Sequence, residues 1–410
     1  MTTNPKPSPS PSVTATIEAT RSTGVLVASV LTTVSSVYPA FLAGALGVEL
    51  RSSLGMTEWF FGFVIGGFFF GSALGSTALG RLGERLGARR MITFSLLTTA
   101  AVTAFISAFV RSGPVLIAAL FVAGLANSSG QTSANKLLSQ SINPARLGLA
   151  MAIKQSGMPG ASLLGGLAVP ILALTVGWQW SYLFATALAL VALWAVLRFA
   201  PDDGPAATTQ RSGPTRPVTA HRILVLGAVA AGFSSAAAGT LGNWVTSSAV
   251  DAGWSSGAAG LLLSLGAVTG ISSRLLLGWR ADRSPRLPMR TAATFLAWGA
   301  SGALLLAPRV QWTHVVAVMI AFGAGWGWPA LFNFAVVRAN PLAASAATGV
   351  TQTGVYVGVF TGPIVFGFMV DHVSYAAGWS LIAGSMLIGA AIMWRLAPQF
   401  QDPGQVSLSR

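Results

Sequence analysis

The stretch Gly80-Arg81-Leu82-Gly83-Glu84-Arg85-Leu86-Gly87-Ala88-Arg89-Arg90 sets four arginines and one carboxylate between two long apolar runs. A shorter copy follows at Gly278-Trp279-Arg280-Ala281-Asp282-Arg283, where the glycine, the acid and the next arginine keep their spacing. The two leading glycines are 278 − 80 = 198 residues apart, close to half of the 410 residues of the chain. The sequence therefore contains an internal repeat of about half its length.

Two further pairs of short motifs keep nearly the same separation. They are Asn143-Pro144 with Asn340-Pro341, and Gln155-x-Gly157 with Gln352-x-Gly354, each 197 residues apart (340 − 143 and 352 − 155). A nearly constant offset at three separate places predicts two related halves of about six segments each.

The composition indicates a membrane protein. Hydrophobic residues make up 53% of the sequence, charged residues only 8%, and the mean hydropathy is +0.67. A soluble domain of this size needs more polar surface than these residues provide. We therefore predict an integral membrane protein whose outer surface contacts the lipid bilayer.

No metal ion, cofactor or nucleic acid is predicted as a partner. The chain has no cysteine, and its three histidines, His221, His314 and His372, lie scattered at the ends of segments. The net charge is +14, but most of the basic residues fall in short loops between apolar runs. Anionic lipid headgroups are a better partner for such loops than nucleic acid is.

Twelve apolar segments are each long enough to cross about 30 Å of hydrocarbon at about 1.5 Å per residue. They are predicted near residues 24–48, 57–79, 91–110, 114–140, 146–174, 178–198, 223–249, 256–278, 289–307, 313–337, 345–369 and 376–396. Together with the repeat, they predict an all-α fold of twelve transmembrane helices in two pseudo-symmetric six-helix bundles.

The segments divide the chain into five parts. Residues 1–22 are rich in Ser, Thr and Pro and are predicted to be a disordered tail. The first bundle is predicted over 23–199, a Pro-rich linker over 200–221, the second bundle over 222–398 and a second tail over 399–410. If the first tail is cytoplasmic, the loops on the opposite side contain only three basic residues, Arg51, Arg111 and Arg309. Basic residues are more frequent in cytoplasmic loops, so this distribution predicts that both termini and the linker are cytoplasmic.

The first stretch, between the second and third spans, resembles the cytoplasmic signature of the major facilitator superfamily, and the likeness covers about residues 24–398. It implies the major facilitator fold and a charge latch that changes between conformational states. The latch would comprise Gly80, Glu84, Arg85 and Arg89 and, in the second copy, Gly278, Asp282 and Arg283. The sequence departs from the family pattern in two places. Glu84 stands where Asp is usual, and Ser284-Pro285 replaces the continuation of the second copy.

Three cations lie inside the predicted spans, away from their ends: Lys136, Lys154 and Arg274. A charge at the centre of a span costs about 2.5–3.5 kcal/mol even on lenient insertion scales, so a cation without a carboxylate needs another partner, such as a substrate anion. Arg274 is similar to the arginine of the eighth helix that binds the carboxylate in monocarboxylate and oxalate transporters of this superfamily. Lys136 and Arg274 also lie about a turn from span ends. Snorkelling to the headgroups, or for Arg274 docking to a helix end, is therefore an alternative.

Polar residues predict a hydrated path between the halves. Asn127, Gln131 and Asn135 recur at every fourth position of the fourth span and share one face, although such a stripe can also join helices. The remaining candidate binding residues are Tyr38, Trp326, Asn333, Gln352 and Tyr356. Four prolines are predicted to interrupt spans and to free backbone groups there: Pro39, Pro159, Pro329 and Pro363.

These features predict a monomeric secondary transporter, not an enzyme, that moves a small organic anion, a carboxylate, across the inner or plasma membrane by alternating access. Proton co-transport, anion exchange and facilitated diffusion all remain open, because every acid lies in a tail, in a loop or near a helix end. A channel is a weaker alternative because it should lack the paired motif, and a membrane enzyme is a weaker alternative because it needs a nucleophile or metal group that is absent. A multidrug or other small-molecule exporter of the same fold is the main alternative. It is disfavoured because the fourth span has no arginine and Ala161-Ser162 stands in the fifth span where such exporters have Gly-Pro.

Overall fold

The computed structural model describes residues 11–202, 219–283, 288–340 and 344–400, and these residues are helical apart from short connections. The first half contains α1 (Pro11–Ala45), α2 (Gly47–Leu54), α3 (Glu58–Leu86), α4 (Ala88–Phe109), α5 (Gly113–Ser141), α6 (Pro144–Gln155), α7 (Gly157–Ala168) and α8 (Trp178–Phe199). The second half contains α9 (His221–Asp251), α10 (Ser256–Arg283), α11 (Pro288–Leu306), α12 (Gln311–Gly325), α13 (Trp328–Ala339), α14 (Ala344–His372) and α15 (Tyr375–Leu396).

Ten helical stretches among the described residues are long and apolar enough to cross a membrane. The 19-residue α11 and the consecutive helices α12 and α13 occupy the other two of the twelve positions. The protein is therefore a multi-span integral membrane protein, as the composition predicts.

The two halves repeat the same packing pattern. In the first half α1 packs against α7 and α8, and α4 packs against α8. In the second half α9 packs against α14 and α15, and α11 packs against α15, which are the equivalent pairs. This correspondence confirms the prediction of two pseudo-symmetric six-helix bundles.

The halves contact each other through α3 with α14, α7 with α10, and α1 with α9. We call the end of the bundles where α8 finishes and α9 begins the linker end, and the opposite end the far end. Close approaches between the halves lie toward the far end. A Cβ atom added at Gly62 would be 2.7 Å from the Pro363 carbonyl oxygen, and one added at Gly166 would be 2.3 Å from the Gly260 carbonyl oxygen. Glycine at these positions therefore allows the helices of the two halves to touch.

Two predicted spans are broken rather than continuous. The fifth span divides into α6 and α7 and ends in a π-helical segment, Val169–Ala173, because Pro159 and Pro170 cannot donate backbone hydrogen bonds. The tenth span breaks between Gly325 and Trp328, just before Pro329. The prediction of an interruption at Pro39 and Pro363 is wrong, because α1 and α14 continue through both prolines.

The ends of the spans also differ from the predictions. Helix α1 begins at Pro11, so it includes part of the segment predicted to be disordered; residues 12–23 contain no Gly or Pro that would end a helix. Helices α3 and α10 run to Leu86 and Arg283, so the Gly80 stretch lies mainly in the last turns of α3 rather than in a loop. Gly87, at φ 95°, forms the sharp connection to α4, in a conformation that favours glycine.

Candidate functional site

A buried lysine organises the polar residues of the first half. The Lys154 Nζ donates to Gln131 Oε1 at 2.7 Å and to Asn135 Oδ1 at 2.9 Å, and it lies 3.4 Å from the Gln131 carbonyl oxygen. The stripe predicted on α5 therefore faces α6, and two of its three members bind the same ammonium group. Lys154 is 1% exposed, whereas Asn135 is exposed and Gln131 is half-buried.

The same network extends to α1 and α3 through hydroxyl groups. The Gln131 amide donates to Ser36 Oγ at 3.2 Å, Ser36 donates to Asn127 Oδ1 at 2.9 Å, and the Asn127 amide donates to Ser72 Oγ at 3.1 Å. Ser36 and Ser72 were not predicted, because serines are frequent in these spans and nothing in the sequence distinguishes these two. The network thus joins four spans of the first half around Lys154.

The ammonium group of Lys154 is hydrogen-bonded, but no ion pair with a described residue balances its charge. Its two side-chain partners are amide oxygens, and it forms no ion pair with any residue that the structure describes. An ammonium group has three N–H donors, so neutral oxygens satisfy its geometry. They do not supply the opposite charge that would offset its transfer out of water.

Arg274 on α10 joins the two halves through helix breaks. Its Nε donates to the Trp326 carbonyl oxygen at 2.9 Å, and its Nη1 donates to the Gln155 carbonyl oxygen at 3.1 Å. The Gln155 carbonyl is free to accept because the residue four positions later, Pro159, has no N–H. Trp326 caps the end of α12. Because Gln155 directly follows Lys154, this contact places Arg274 beside the same part of the first half.

Trp326 closes one side of this region. Its ring lies 5.6 Å from the Arg274 guanidinium carbon and packs edge-on against Phe41 of α1 at 5.8 Å between centroids. Its indole N–H donates to the Ala238 carbonyl oxygen at 2.8 Å. Trp326 is 3% exposed, so its buried ring bounds the region and packs beside the Arg274 guanidinium group. Phe41 was not predicted as part of the region, since it is one of 22 phenylalanines in an apolar sequence.

The other predicted binding residues are dispersed. On α14, Gln352 and Tyr356 are half-buried, and Asn333 is half-buried on α13. Lys136 is half-buried beside Asn135, near the linker end of α5. Tyr38 is fully buried inside the first half, with its hydroxyl 3.5 Å from the Leu164 carbonyl oxygen. The structure therefore gathers Lys154, Gln131, Asn135, Arg274 and Trp326 near the breaks of the fifth and tenth spans and leaves these other residues apart.

The predicted latch is described only in part. The side chains of Glu84, Arg85, Asp282 and Arg283, and the surroundings of Gly80 and Gly278, lie outside the described residues, so the latch stays a prediction. Arg89 is described: it forms an ion pair with Asp202, just after α8, and donates to the Leu197 carbonyl oxygen at 2.8 Å. These contacts join α4 to the start of the linker. Among the described residues, no group of three or more acids or histidines could hold a metal ion.

Comparison with known proteins identifies the family. The family model of the Major Facilitator Superfamily matches residues 23–359. A gentisate transporter of Corynebacterium glutamicum is 26% identical over 271 residues, which cover 62% of this chain and 60% of that protein. A chloramphenicol resistance protein of Streptomyces lividans is 25% identical over 363 residues, covering 86% of this chain and 90% of that protein.

Solved structures show the same fold. The xylose transporter of E. coli in a partially occluded inward-open conformation superposes with a TM-score of 0.73 at 12% identity, covering 92% of this chain and 98% of that chain. A D-xylose-proton symporter superposes with a TM-score of 0.72 at 13% identity over the same shares. At this identity the likeness concerns the fold alone. With twelve helix positions in two equivalent halves and a family match over most of its length, this chain belongs to the major facilitator superfamily and is a membrane transporter, not an enzyme.

Proposed function

We propose that this transporter carries a small organic anion, a carboxylate, through a site between its halves. Lys154 supplies the central positive charge, and Arg274 supplies a second cation from the other half. Asn135 and Gln131 are the polar groups that an entering substrate meets first, because both are more exposed than Lys154.

The observation that carries the proposal is the uncompensated charge of Lys154. It is buried in a span and bonded to neutral oxygens, without an ion pair to any described residue. A substrate carboxylate that displaced one amide oxygen would supply the missing negative charge. Both kinds of bond have an ionised donor, but only the carboxylate brings the opposite charge, and the attraction between opposite charges is strong in the low dielectric of a buried site, so the exchange favours the anion.

Arg274 contributes differently from Lys154. Two of its five N–H donors bind backbone carbonyls. This is the helix-end docking that the sequence left as an alternative to anion binding, and both functions use the same group. We propose that a carboxylate binds to the remaining donors and competes with the Gln155 carbonyl, so substrate binding and the contact between the halves are linked.

The relatives suggest which substrates to test first. One relative is described as a gentisate transporter, and gentisate is an aromatic carboxylate. Trp326, Phe41 and Phe322 form an aromatic group beside Arg274, with Trp326 and Phe322 at 4.7 Å between centroids. We therefore propose aromatic carboxylates as the first class of substrate to examine.

The second candidate function is drug export. The relative with the broader coverage is a chloramphenicol resistance protein. Chloramphenicol is uncharged, so a protein that binds it does not need a buried cation at its site. This difference in charge allows the two functions to be separated in one assay.

We also propose that the chain is a monomer in the inner or plasma membrane, with its linker end toward the cytoplasm. This orientation is supported by the arginines near the linker end and by the few basic residues at the far end. In this orientation the far end faces outward and the linker end faces the cytoplasm.

Thermal-shift titration of the purified protein tests the proposal. Gentisate and benzoate should raise the unfolding temperature, because a ligand that binds only the folded state stabilises it. Tetraphenylphosphonium and chloramphenicol should not. Lys154→Met should abolish the shift, whereas the matched control Lys136→Met should retain most of it. Stabilisation by chloramphenicol alone, in both variants and in the wild type, would instead support the drug exporter.

A further inference from the structure

A second group of polar residues joins the halves at the far end. Glu58, the first residue of α3, pairs with Arg51 of α2, with Oε1 and Nη2 3.0 Å apart. The Tyr375 hydroxyl of α15 donates to the same Oε1 at 3.0 Å. Arg51 also donates to the Ser247 hydroxyl of α9 at 3.0 Å. Arg51 and Glu58 belong to the first half, and Ser247 and Tyr375 to the second, so we call these four residues the far-end tie.

Asp371 of α14 strengthens this contact. Its two carboxylate oxygens accept the backbone N–H groups of Glu58 at 3.0 Å and Trp59 at 2.7 Å. The beginning of α3 is therefore capped by an acid from the other half, where a negative charge is favourable. The boundary between the halves is thus crossed by two side-chain hydrogen bonds of the far-end tie and by the Asp371 cap beside it, whereas the Arg51–Glu58 ion pair lies within the first half.

Glu58 has the features of a site for a proton. Its side chain is 22% exposed, and that of Arg51 is 12% exposed, so the pair is largely dehydrated but reachable from the far end. Its Oε2 is buried and has no hydrogen-bond partner among the described residues. That oxygen can take up a proton without displacing an existing donor.

The other acids at this end are placed differently. Asp251 pairs with Arg309 within the second half, and Asp371 is exposed. Both Glu49 carboxylate oxygens are buried without a described hydrogen-bond partner, so Glu49 is not bonded to the second half. Of these acids, Glu58 is the one whose side chain forms both a salt bridge, to Arg51 of its own half, and a hydrogen bond with the other half, to Tyr375.

We propose that Glu58 binds the proton that is co-transported with the substrate, and that this protonation releases the far-end tie. The proposal rests on the proposed alternating-access function. An ionised Glu58 accepts from both Arg51 and Tyr375. A proton on Glu58 removes the counter-charge of Arg51 and turns the carboxylate into a weaker acceptor for Tyr375. The proton therefore binds better when the halves are apart at the far end, and by linkage its binding opens that end.

Other ionisable groups near Glu58 have to be considered. The charges that act on it are those of Arg51, Asp371 and Asp251, and Tyr375 contacts it directly. His372 of α14 lies one residue from Asp371, and its ring is 5.9 Å from that of Trp59. A pH response at the far end could therefore arise from His372, and the experiment includes a variant that tests it.

The test measures the distance between the halves at the far end by double electron–electron resonance in lipid nanodiscs. The chain has no native cysteine. Spin labels can therefore be attached through Val176→Cys in the first half and Val373→Cys in the second, which are 55% and 63% exposed. On lowering the pH from about 8 to about 5, the population with the longer distance should rise at least about fivefold. Glu58→Gln, which resembles the protonated form, should show the longer distance at every pH.

Control variants separate Glu58 from its neighbours. Glu49→Gln and His372→Gln should keep the pH response, and Tyr375→Phe should raise the longer-distance population at high pH while keeping the response. A distance that does not change with pH in the wild type would overturn the proposal. So would a pH response that persists in Glu58→Gln or is lost in either control.

The assay contains no substrate, so its outcome is independent of the thermal-shift test of anion binding. Should Glu58→Gln fail to fold, Tyr375→Phe still decides. At pH about 8 it should show a larger longer-distance population than the wild type, whereas Glu49→Gln and His372→Gln should match the wild type. Equal populations in all four proteins at that pH would overturn the proposal.

Discussion

Replacing Arg274 by lysine tests the most specific feature of the site. The guanidinium group reaches the Trp326 carbonyl with Nε and the Gln155 carbonyl with Nη1, at 2.9 and 3.1 Å. These carbonyls belong to different halves. An ammonium group has one nitrogen on a shorter chain, so it can bind one of the two carbonyls but is not expected to span both.

The loss of one of the two hydrogen bonds that a guanidinium group can donate to a carboxylate is worth about 1.5–3 kcal/mol. Arg274 is half-buried, so we expect the lower end of that range. At about 1.4 kcal/mol for each factor of ten, carboxylate affinity should fall roughly tenfold. The charge remains, so binding should weaken without disappearing.

Isothermal titration with the carboxylate that gives the largest thermal shift measures this effect. Arg290→Lys is the matched control, since Arg290 is a half-buried arginine that stacks on Trp394 at 5.4 Å, outside the site. The control should bind as the wild type does, and Arg274→Gln should bind far more weakly than Arg274→Lys. Equal affinities for Arg274→Lys and the wild type would show that Arg274 only docks to the helix ends.

Three further predictions concern charge, switching and topology. Lys154→Met should remove transport, measured as uptake in proteoliposomes, but leave a folded protein. Its free energy of unfolding, measured with urea in micelles, should stay within about 2 kcal/mol of the wild type, because leaving Gln131 Oε1 without a donor costs about 1–3 kcal/mol while the desolvation of a buried charge is relieved. Glu84→Gln should keep ligand binding but slow the exchange between inward-open and outward-open states, and unchanged transport kinetics would contradict a switching role. A protease site inserted near Gln210 should be cut in inverted vesicles and protected in intact cells.

Much of the architecture could be predicted because it depends on patterns that the sequence displays directly. Apolar runs long enough to cross the bilayer and a repeat of about 197 residues determine the twelve helices and the two halves. The α5 stripe was found for the same reason, since residues four apart share a helix face. These features need no knowledge of which helices touch.

The partners of the site residues could not be predicted, because they depend on tertiary contacts between distant segments. Pro159 indicates a free carbonyl, but nothing in the sequence shows that Arg274, 119 residues from Gln155, supplies the donor. Glu58 and Asp371 were read as acids near helix ends. Their bonds to the opposite half follow from how α3, α14 and α15 meet at the far end. Likewise, Pro39 and Pro363 were expected to interrupt spans, but α1 and α14 continue through them.

The cap that Asp371 provides for α3 has a consequence for the energy of the transport cycle. When the halves part, the N–H groups of Glu58 and Trp59 lose their acceptor at the moment when water enters the gap. Water can then replace the carboxylate, and the Thr57 hydroxyl, which already accepts the Phe60 N–H at 3.2 Å, still holds the first turn. The hydrogen bonds broken on opening are therefore exchanged rather than lost. The closed and open forms of this end can therefore be close in free energy.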